Sequence, residues 1–424
     1  MTQTLNQFTL HQQVHRQVLP NGLVLLVTEN PAADIIAARL FFRTGSRWEA
    51  RAQAGLSHLL STVITKGTEQ FSSLEIAERI ESIGARLSAD TTNDYFLISL
   101  KTVSADFGEI LGLAAELLRS PSFPETEIEL ERRITIQGIR SQQEQPFAIA
   151  FDQLRQIMYQ DHPYALSSLG TEETMAQLSR ADLQTFHQTY FRPDNLVLSI
   201  AGRITPDLAA EMVQRVFGDW AIPETTLPQL EVPAIKTNPQ TATTARPTQQ
   251  SVIMLGYLAS AVYDPDYLAL KLLSTYLGNG LSSRLFVELR EKRGLAYDVS
   301  AFYPTRLDES QFVVYIGTAP ENTEIATEGL RTEIERLVAA PLSENELQIA
   351  KNKLLGQYAL GKQTNGQLAQ IYGWYEILGL GLEFDTLFQT AIAQVTPEQA
   401  HGAACRYLDR EPYLSVIGPD LKNE

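Results

Sequence analysis

The sequence predicts two homologous α+β domains arising from an internal duplication, each a mainly antiparallel sheet packed with helices. Three observations predict this. Runs with the two-residue period of strands alternate with runs at helical spacing. The order of these runs over residues 35–120 recurs after residue 250, and self-similarity at so long a period signals duplication rather than a solenoid. Between the copies lies "TTLPQLEVPAIKTNPQTATTARPTQQ", rich in Thr and Pro and without periodicity, which reads as an extended linker. The expected division is 1–224, a linker at 225–249, and 250–424.

The elements follow in order. In "VHRQVLPNGLVLLVTEN", Asn21-Gly22 separates two β-rich runs and predicts a hairpin, since Asn-Gly accepts the positive φ angles of a tight turn. "IIAARLFFRTGS" is a third strand ending at Gly45. Ala54, Leu56, Leu59, Leu60, Val63 and Ile64 then recur at helical spacing, and Gly67 closes that helix. "SSLEIAERIESIG" is the next helix, capped by Ser72 or Ser73 and stopped by Gly84. "ARLSADTTNDYFLISLKTV" reads as a strand with Phe96, Ile98 and Leu100 on one face, and a long helical stretch runs from Ala105 through "LERRITIQGIRSQ". "DNLVLSIAGRI" is a buried strand. In the second half, "SVIMLGYLASA" is a strand, "PDYLALKLLSTYLGNG" a helix, and "SSRLFVELREKRG" a shorter helix closed by Gly294. "LAYDVSAFYP" and "SQFVVYIGTAP" are strands, and "NTEIATEGLRTEIERLVA" is a long helix. A cleft between related domains is a common place for a ligand.

Charge and composition exclude some functions. The formal net charge of −16 argues against nucleic acid, whose phosphates need clustered Lys and Arg. The bland account of the acidity is a solvated surface. The single cysteine, Cys405, excludes an internal disulfide and fits a reducing compartment. The first residues, "MTQTLNQFTLHQQVHRQVL", contain no apolar core of a signal peptide, and no apolar run approaches the ~20 residues of a membrane span. A cytoplasmic protein without a membrane partner is expected.

The segment "GLSHLLSTVITKGT" carries the chemical question. Residues three and four apart share a helix face, so His58, Ser61 and Thr62 point the same way. An inverted H-x-x-E-H zinc peptidase needs imidazoles at the first and fifth positions and a glutamate at the fourth. The imidazoles bind the metal, and the glutamate takes the proton of the metal-bound water. Here the five residues are His58-Leu59-Leu60-Ser61-Thr62.

The segment resembles the "G-x-x-H-x-x-E-H-x-x-x-K-G-T" stretch of the pitrilysin/insulinase family, which includes the mitochondrial processing peptidases. "SIGARLSADTTNDYF", "HPYALSSLGTEETMAQLSRADLQTFHQTYFRPDNLVLSIAGRI" and "SSRLFVELREKRGLAYDVSAF" resemble further family segments in the family's order, so the likeness spans nearly the whole chain. The resemblance implies a pitrilysin-like fold. It also exposes departures. The family's catalytic glutamate falls on Ser61, its second histidine on Thr62, and its third ligand, a glutamate in the helix like "LERRITIQGIR", on Gly138 beside Gln137. Glu131 matches another acidic position of the motif, not the ligand. One imidazole does not make a catalytic zinc site, which takes three protein ligands, and His58 then reads as a packed or hydrogen-bonded histidine. No cofactor is expected in this chain, and zinc only in a partner.

Some family members lack the zinc motif but carry an Arg and a Tyr in a segment like "LREKRGLAY", here Arg290 and Tyr297. The resemblance implies that this pair reaches a partner's active site, holds the substrate backbone and steadies the oxyanion. Residue by residue, two plainer readings stand beside it: Tyr297 as a core residue of the alternation Leu295, Tyr297, Val299, Ala301, and Arg290 as a surface residue paired with Glu288 or Glu291. The family also adds peptide to a sheet edge, here near Leu87–Thr92, with Ser88 where the family has Asn. The expected function is a non-catalytic subunit of a heterodimeric zinc peptidase with a zinc-bearing homologue as partner and peptide as substrate. The alternative is an inactive structural or peptide-binding homodimer, like the core subunits of a respiratory complex. An active enzyme with rebuilt metal ligands is the remaining possibility.

Overall fold

A computed structural model describes residues 13–419; the rest, including His11 and most of the N-terminal stretch inspected for a signal peptide, lies outside the described residues. The first sheet contains β1 (Val14–Val18), β2 (Val24–Glu29), β3 (Ile35–Phe42), β4 (Arg86–Thr91), β5 (Phe96–Val103) and β6 (Leu196–Gly202) in the order β1-β2-β6-β3-β5-β4. The second contains β7 (Thr241–Ala245), β8 (Ser251–Ala259), β9 (Asp298–Phe302), β10 (Ser310–Thr318) and β11 (Tyr413–Gly418) in the order β7-β11-β8-β10-β9. Setting β2, β6, β3, β5 and β4 against β7, β11, β8, β10 and β9 gives the same order. The parallel pair is also shared, β2 with β6 and β7 with β11, the other pairings being antiparallel. Topology thus repeats where the sequence only suggested a repeat.

Several elements differ from expectation, each for a local reason. The run 85–103 is a hairpin, not one strand: the Thr92 hydroxyl accepts from the amides of Asp94 and Tyr95, and Thr92 N donates to Tyr95 O, closing a turn on Asn93-Asp94. The helical stretch after Ala105 is two helices, Phe107–Arg119 and Glu125–Gln142, broken where Pro121 holds Ser120, the residue that ends the first, out of the helical region. In the first hairpin only Gly22 takes a positive φ (+82°), and the loop is longer than two residues, Leu19 N donating to Leu23 O. Within the 225–249 linker, Thr241–Ala245 forms β7 at the edge of the second sheet, its pairing supplied by β11 rather than by any apolar signal. The helix expected in "SSRLFVELREKRG" is a π-helical turn, Phe286–Lys292.

The outer face of each sheet packs on its own helices, the inner face on a helix from the other half. Helix Pro146–Tyr159 lays Ala150, Leu154 and Met158 against Val252, Met254, Val313 and Ile417 of the second sheet. Helix Asn365–Ile377 lays Leu368, Ala369, Tyr372 and Tyr375 against Val24, Leu26, Phe41 and Val197 of the first. Each fully buried large side chain contributes roughly 1.5–3 kcal/mol, so these exchanged helices bind the halves firmly. A glycine permits each contact. A Cβ on Gly373 would meet the Phe41 ring at 2.2 Å and Ser199 at 3.0 Å, and one on Gly256 would meet Met158 Sδ at 2.6 Å. Gly373→Leu is therefore expected to lower the thermal midpoint through overpacking worth about 1–3 kcal/mol. Gly366→Ala on the same helix, whose new Cβ meets the movable tip of Arg39 at 3.1 Å and Thr364 Oγ1 at an ordinary 3.9 Å, leaves it nearly unchanged. Equal midpoints for wild type and Gly373→Leu in a thermal melt would contradict the packing described.

Candidate functional site

Helix Leu56–Val63 begins at Gly55, where glycine is required twice over: φ is +96°, and a Cβ would lie 2.6 Å from Leu169 O. Its first amides are satisfied by a buried carboxylate: Gly55 N and Ser57 N donate to Glu49 at 2.8 and 2.7 Å. Burial pushes the Glu49 pKa up to about 7 against the hydrogen bonds from Ser57 and Gly55, which favour the charged form. The helix is thus held from its N-terminus and presents His58 and Thr62 half-buried, with Ser61 buried.

The donor set beside His58 does not fit zinc. The Ser61 hydroxyl donates to His58 O at 2.7 Å and the Thr62 hydroxyl to Leu59 O at 2.9 Å, so both are committed to their own helix. On the facing helix Glu125–Gln142, Glu131 is held by Lys66 Nζ at 3.0 Å. Gly138 offers no ligand, and a Cβ on it would meet nothing within 4 Å. Among the described residues, no group of three or more His, Cys, Asp or Glu is placed to hold a metal. Burial lowers the His58 pKa, while the charges of Asp90 and Glu131 pull it back up. The remaining histidines on helices serve packing. His187 Nε2 donates to Leu118 O at 2.9 Å, and burial holds its pKa down to about 4; His401 Nε2 donates to Val338 O at 2.8 Å.

The second half supplies a comparison that sequence reading missed. Leu59-Leu60-Ser61-Thr62 recurs letter for letter as Leu272-Leu273-Ser274-Thr275, on the helix Tyr267–Gly278 that occupies the matching place in the duplicated topology. His58 corresponds to Lys271, whose ammonium donates to Tyr303 O at 2.7 Å and lies 5.3 and 5.1 Å from the Tyr267 and Tyr303 rings. Burial pushes the Lys271 pKa down to about 8. Thr275 again bonds back along its own helix, to Lys271 O at 2.8 Å. Ser61 and Thr62 therefore match the packing sequence of a helix that carries no metal motif. The signal was the repeated tetrapeptide itself.

Arg290 and Tyr297 are both exposed, so Tyr297 is not a core residue, whereas Arg290 is a surface residue as its plainer reading has it but lacks the expected partner. Tyr297 is 59% exposed, while its neighbours Leu295 and Val299 turn into the core. Its amide donates to Gly317 O at 2.8 Å, fixing it at the start of β9, the edge of the second sheet. Arg290 lies on the π-helical turn with its guanidinium 5.0 Å from the Phe286 ring centre. Glu288 is instead taken by Arg284 at 2.7 Å and Lys292 at 2.8 Å, and among the described residues Arg290 has no ion pair with Glu288 or Glu291. Gly294, at φ +62°, and a bond from Leu295 N to Leu289 O fold the connection tightly between the two residues.

The sequence-predicted residues thus fall in two groups. His58, Ser61 and Thr62 share one helix that packs on the helix bearing Gly138 and on β4, where Ser88 is exposed. Arg290 and Tyr297 belong to the other half, and no hydrogen bond among the described residues joins the groups. β4 and β9 are the matching edge strands of the two sheets, each with one side unpaired.

Comparison with known proteins gives a consistent picture. The family model described as Insulinase (Peptidase family M16) matches residues 24–172, and that described as Peptidase M16 inactive domain matches residues 177–354. An uncharacterized zinc protease of Streptomyces coelicolor is 28% identical over 96% of this chain and 90% of its own length. Another, of Bacillus subtilis, is 27% identical over 96% of this chain and 98% of its own length. Among solved structures, a peptidase M16 inactive domain from Pseudomonas fluorescens superimposes with a TM-score of 0.90 at 24% identity, covering 97% of this chain and 99% of that one. A protease from Helicobacter pylori gives 0.90 at 22% identity over 96% and 100%. These structural likenesses establish the two-domain fold.

The donor chemistry around His58 makes a direct prediction. After zinc loading and dialysis, the purified chain retains well below one zinc per chain by elemental analysis, and His58→Ala retains the same amount. Stoichiometric zinc that is lost on His58→Ala would contradict the reading.

Proposed function

We propose, from the premise that this chain belongs to the insulinase family (peptidase family M16), that it is the non-catalytic subunit of a two-chain zinc peptidase. In this proposal a homologous partner carries the zinc, and Arg290 and Tyr297 of this chain act on the peptide bound there. The observation that carries the reading is an exposed guanidinium without an ion pair among the described residues and an exposed phenol beside a sheet edge, in a chain whose own metal positions hold Ser61, Thr62 and Gly138.

The chemistry follows from the residue types. A metal in the partner would lower the pKa of a bound water to about 7, far below that of bulk water, and so supply the nucleophile. Arg290 remains charged and can fork onto peptide carbonyl oxygens, holding the substrate backbone. The Tyr297 hydroxyl donates to the oxygen on which negative charge develops during attack, where a fixed donor is most effective. The free edge of β4, with Ser88 exposed, supports a role in pairing with the backbone of an extended peptide, which asks little of its sequence. A cytoplasmic location is part of the proposal, supported by the lone Cys405. No helix among the described residues is long and apolar enough to cross a membrane.

Mixing this chain with its zinc-bearing homologue and following peptide cleavage tests the proposal. Arg290→Ala or Tyr297→Phe lowers kcat of the mixture by about 10²–10³ while the complex still assembles by size exclusion. Unchanged cleavage contradicts the role. A stable homodimer that ignores the zinc-bearing homologue would instead favour a structural or peptide-binding protein.

A further inference from the structure

We propose that the inner face of the first sheet, beside the open edge of β4, is a subsite for a carboxylate carried by a bound peptide. The inference rests on the strand addition to β4 proposed above and adds to it a ligand chemistry and a register.

Side chains on β3, β4 and β5 divide between two faces. Leu40, Leu87, Ala89, Ile98 and Leu100 belong to the core on the outer face. The alternate residues Arg39, Arg86, Ser88, Ser99 and Lys101 therefore lie on the inner face. Helix Asn365–Ile377 covers β3 and β6 on that side, whereas Arg86 and Lys101 remain exposed. Register places Arg86 directly opposite Lys101, and Arg39 opposite Ser99, one diagonal step from Lys101. Opposite positions bring Cβ atoms to about 5 Å and diagonal ones to about 7–8 Å. Three cations thus adjoin on one face of a chain whose net charge is −16.

No anion answers them within the fold. Among the described residues none of the three makes an ion pair. The acidic residue on the same face of β4, Asp90, lies four residues from Arg86, opposite Leu97. The Arg39 guanidinium donates only to the carbonyls of Ala38 at 3.0 Å and Leu100 at 3.3 Å. Burial lowers the pKa of Arg39, and no carboxylate acts to raise it. Like charges directly opposite in a sheet destabilise it, so Arg86 against Lys101 is an uncompensated arrangement.

The row Ala37, Lys101, Arg86 runs across the sheet to its open edge. A strand added to β4 places its next side chain in that row, directly beside Arg86. An Asp or Glu at that position supplies the missing counter-charge, and so does a terminal carboxylate ending there. An extended peptide with a carboxylate in register with Arg86 is therefore the ligand this face fits.

Fluorescence anisotropy with this full chain alone tests the inference, using three short extended peptides of one sequence. One has a central Glu and an amidated C-terminus, one a central Gln and an amidated C-terminus, and one a central Gln and a free C-terminus. The Glu peptide is expected to bind about two- to fivefold tighter than the amidated Gln peptide at low salt, with the advantage shrinking as salt rises. The exposed-site double variant Arg86→Gln/Lys101→Gln, checked for folding by its thermal midpoint, removes the advantage and leaves the Gln peptide's affinity unchanged. If the free-terminus peptide gains the advantage and the Glu peptide does not, the recognised carboxylate is the terminal one. Equal binding of all three, or an advantage that persists in the double variant, overturns the inference and leaves strand addition standing. Absence of binding by every peptide overturns both.

Discussion

The exchange of one helix between the halves is the constraint on which the rest of the structure depends. Each sheet must cover an inner apolar face, and the covering helix comes from the other half of the chain: Pro146–Tyr159 for the second sheet, Asn365–Ile377 for the first. Neither half can therefore bury its core alone. A buried polar junction reinforces the arrangement. Asp94 accepts from the Tyr164 hydroxyl at 2.6 Å with Arg47 and Arg306 each 3.9 Å away, and Asp308 is bonded by His162 at 3.1 Å. Burial raises the Asp94 pKa, against the Tyr164 hydrogen bond and both guanidinium groups. Removing one partner of such a group typically costs 3–5 kcal/mol because a buried charge is left alone. The result is a firm frame that holds the two edge strands, β4 and β9, in fixed places.

Duplication explains how two chemically different surfaces arose on one plan. The two sheets share strand order, and the two helices Leu56–Val63 and Tyr267–Gly278 share the tetrapeptide Leu-Leu-Ser-Thr. At the edge, however, β4 offers Arg86, Ser88 and Asp90, and β9 is preceded by Tyr297 and begins with Asp298. At the matching helical position the first half keeps His58 half-buried and the second buries Lys271 between aromatic rings. The fold is thus retained while the site-bearing positions have diverged, which is why function is argued from the side chains and not from the likeness of the halves.

The fold was legible in the sequence where the signal was local. Period changes marked β3 and the helix after it, Ser72 and Gly84 bounded the next helix through a capping box and a positive φ, and the duplicated order announced two like domains. What was not legible depended on distant partners. β7 is a run of Thr and Ala that becomes a strand only because β11 offers an edge, and the helix exchange leaves no mark on either helix's own periodicity. The hairpin at Thr92–Tyr95 was readable in Asn93-Asp94 but was masked by the continuous β-rich run around it. Of the candidate site, the absence of zinc ligands at Ser61, Thr62 and Gly138 followed from residue type alone. The exposure of Tyr297 did not, because its two-residue spacing from Leu295 and Val299 imitates a core strand until β9 is seen to begin one residue later.

The central claim is that the active centre is divided, with the metal in one chain and the oxyanion donors in another. Titrating a fixed amount of the zinc-bearing homologue with this chain while measuring the initial rate of peptide cleavage tests it most directly. The account predicts a rate that rises steeply and saturates at one equivalent. A rate that stays flat through several equivalents, or activity that this chain shows by itself, would contradict it.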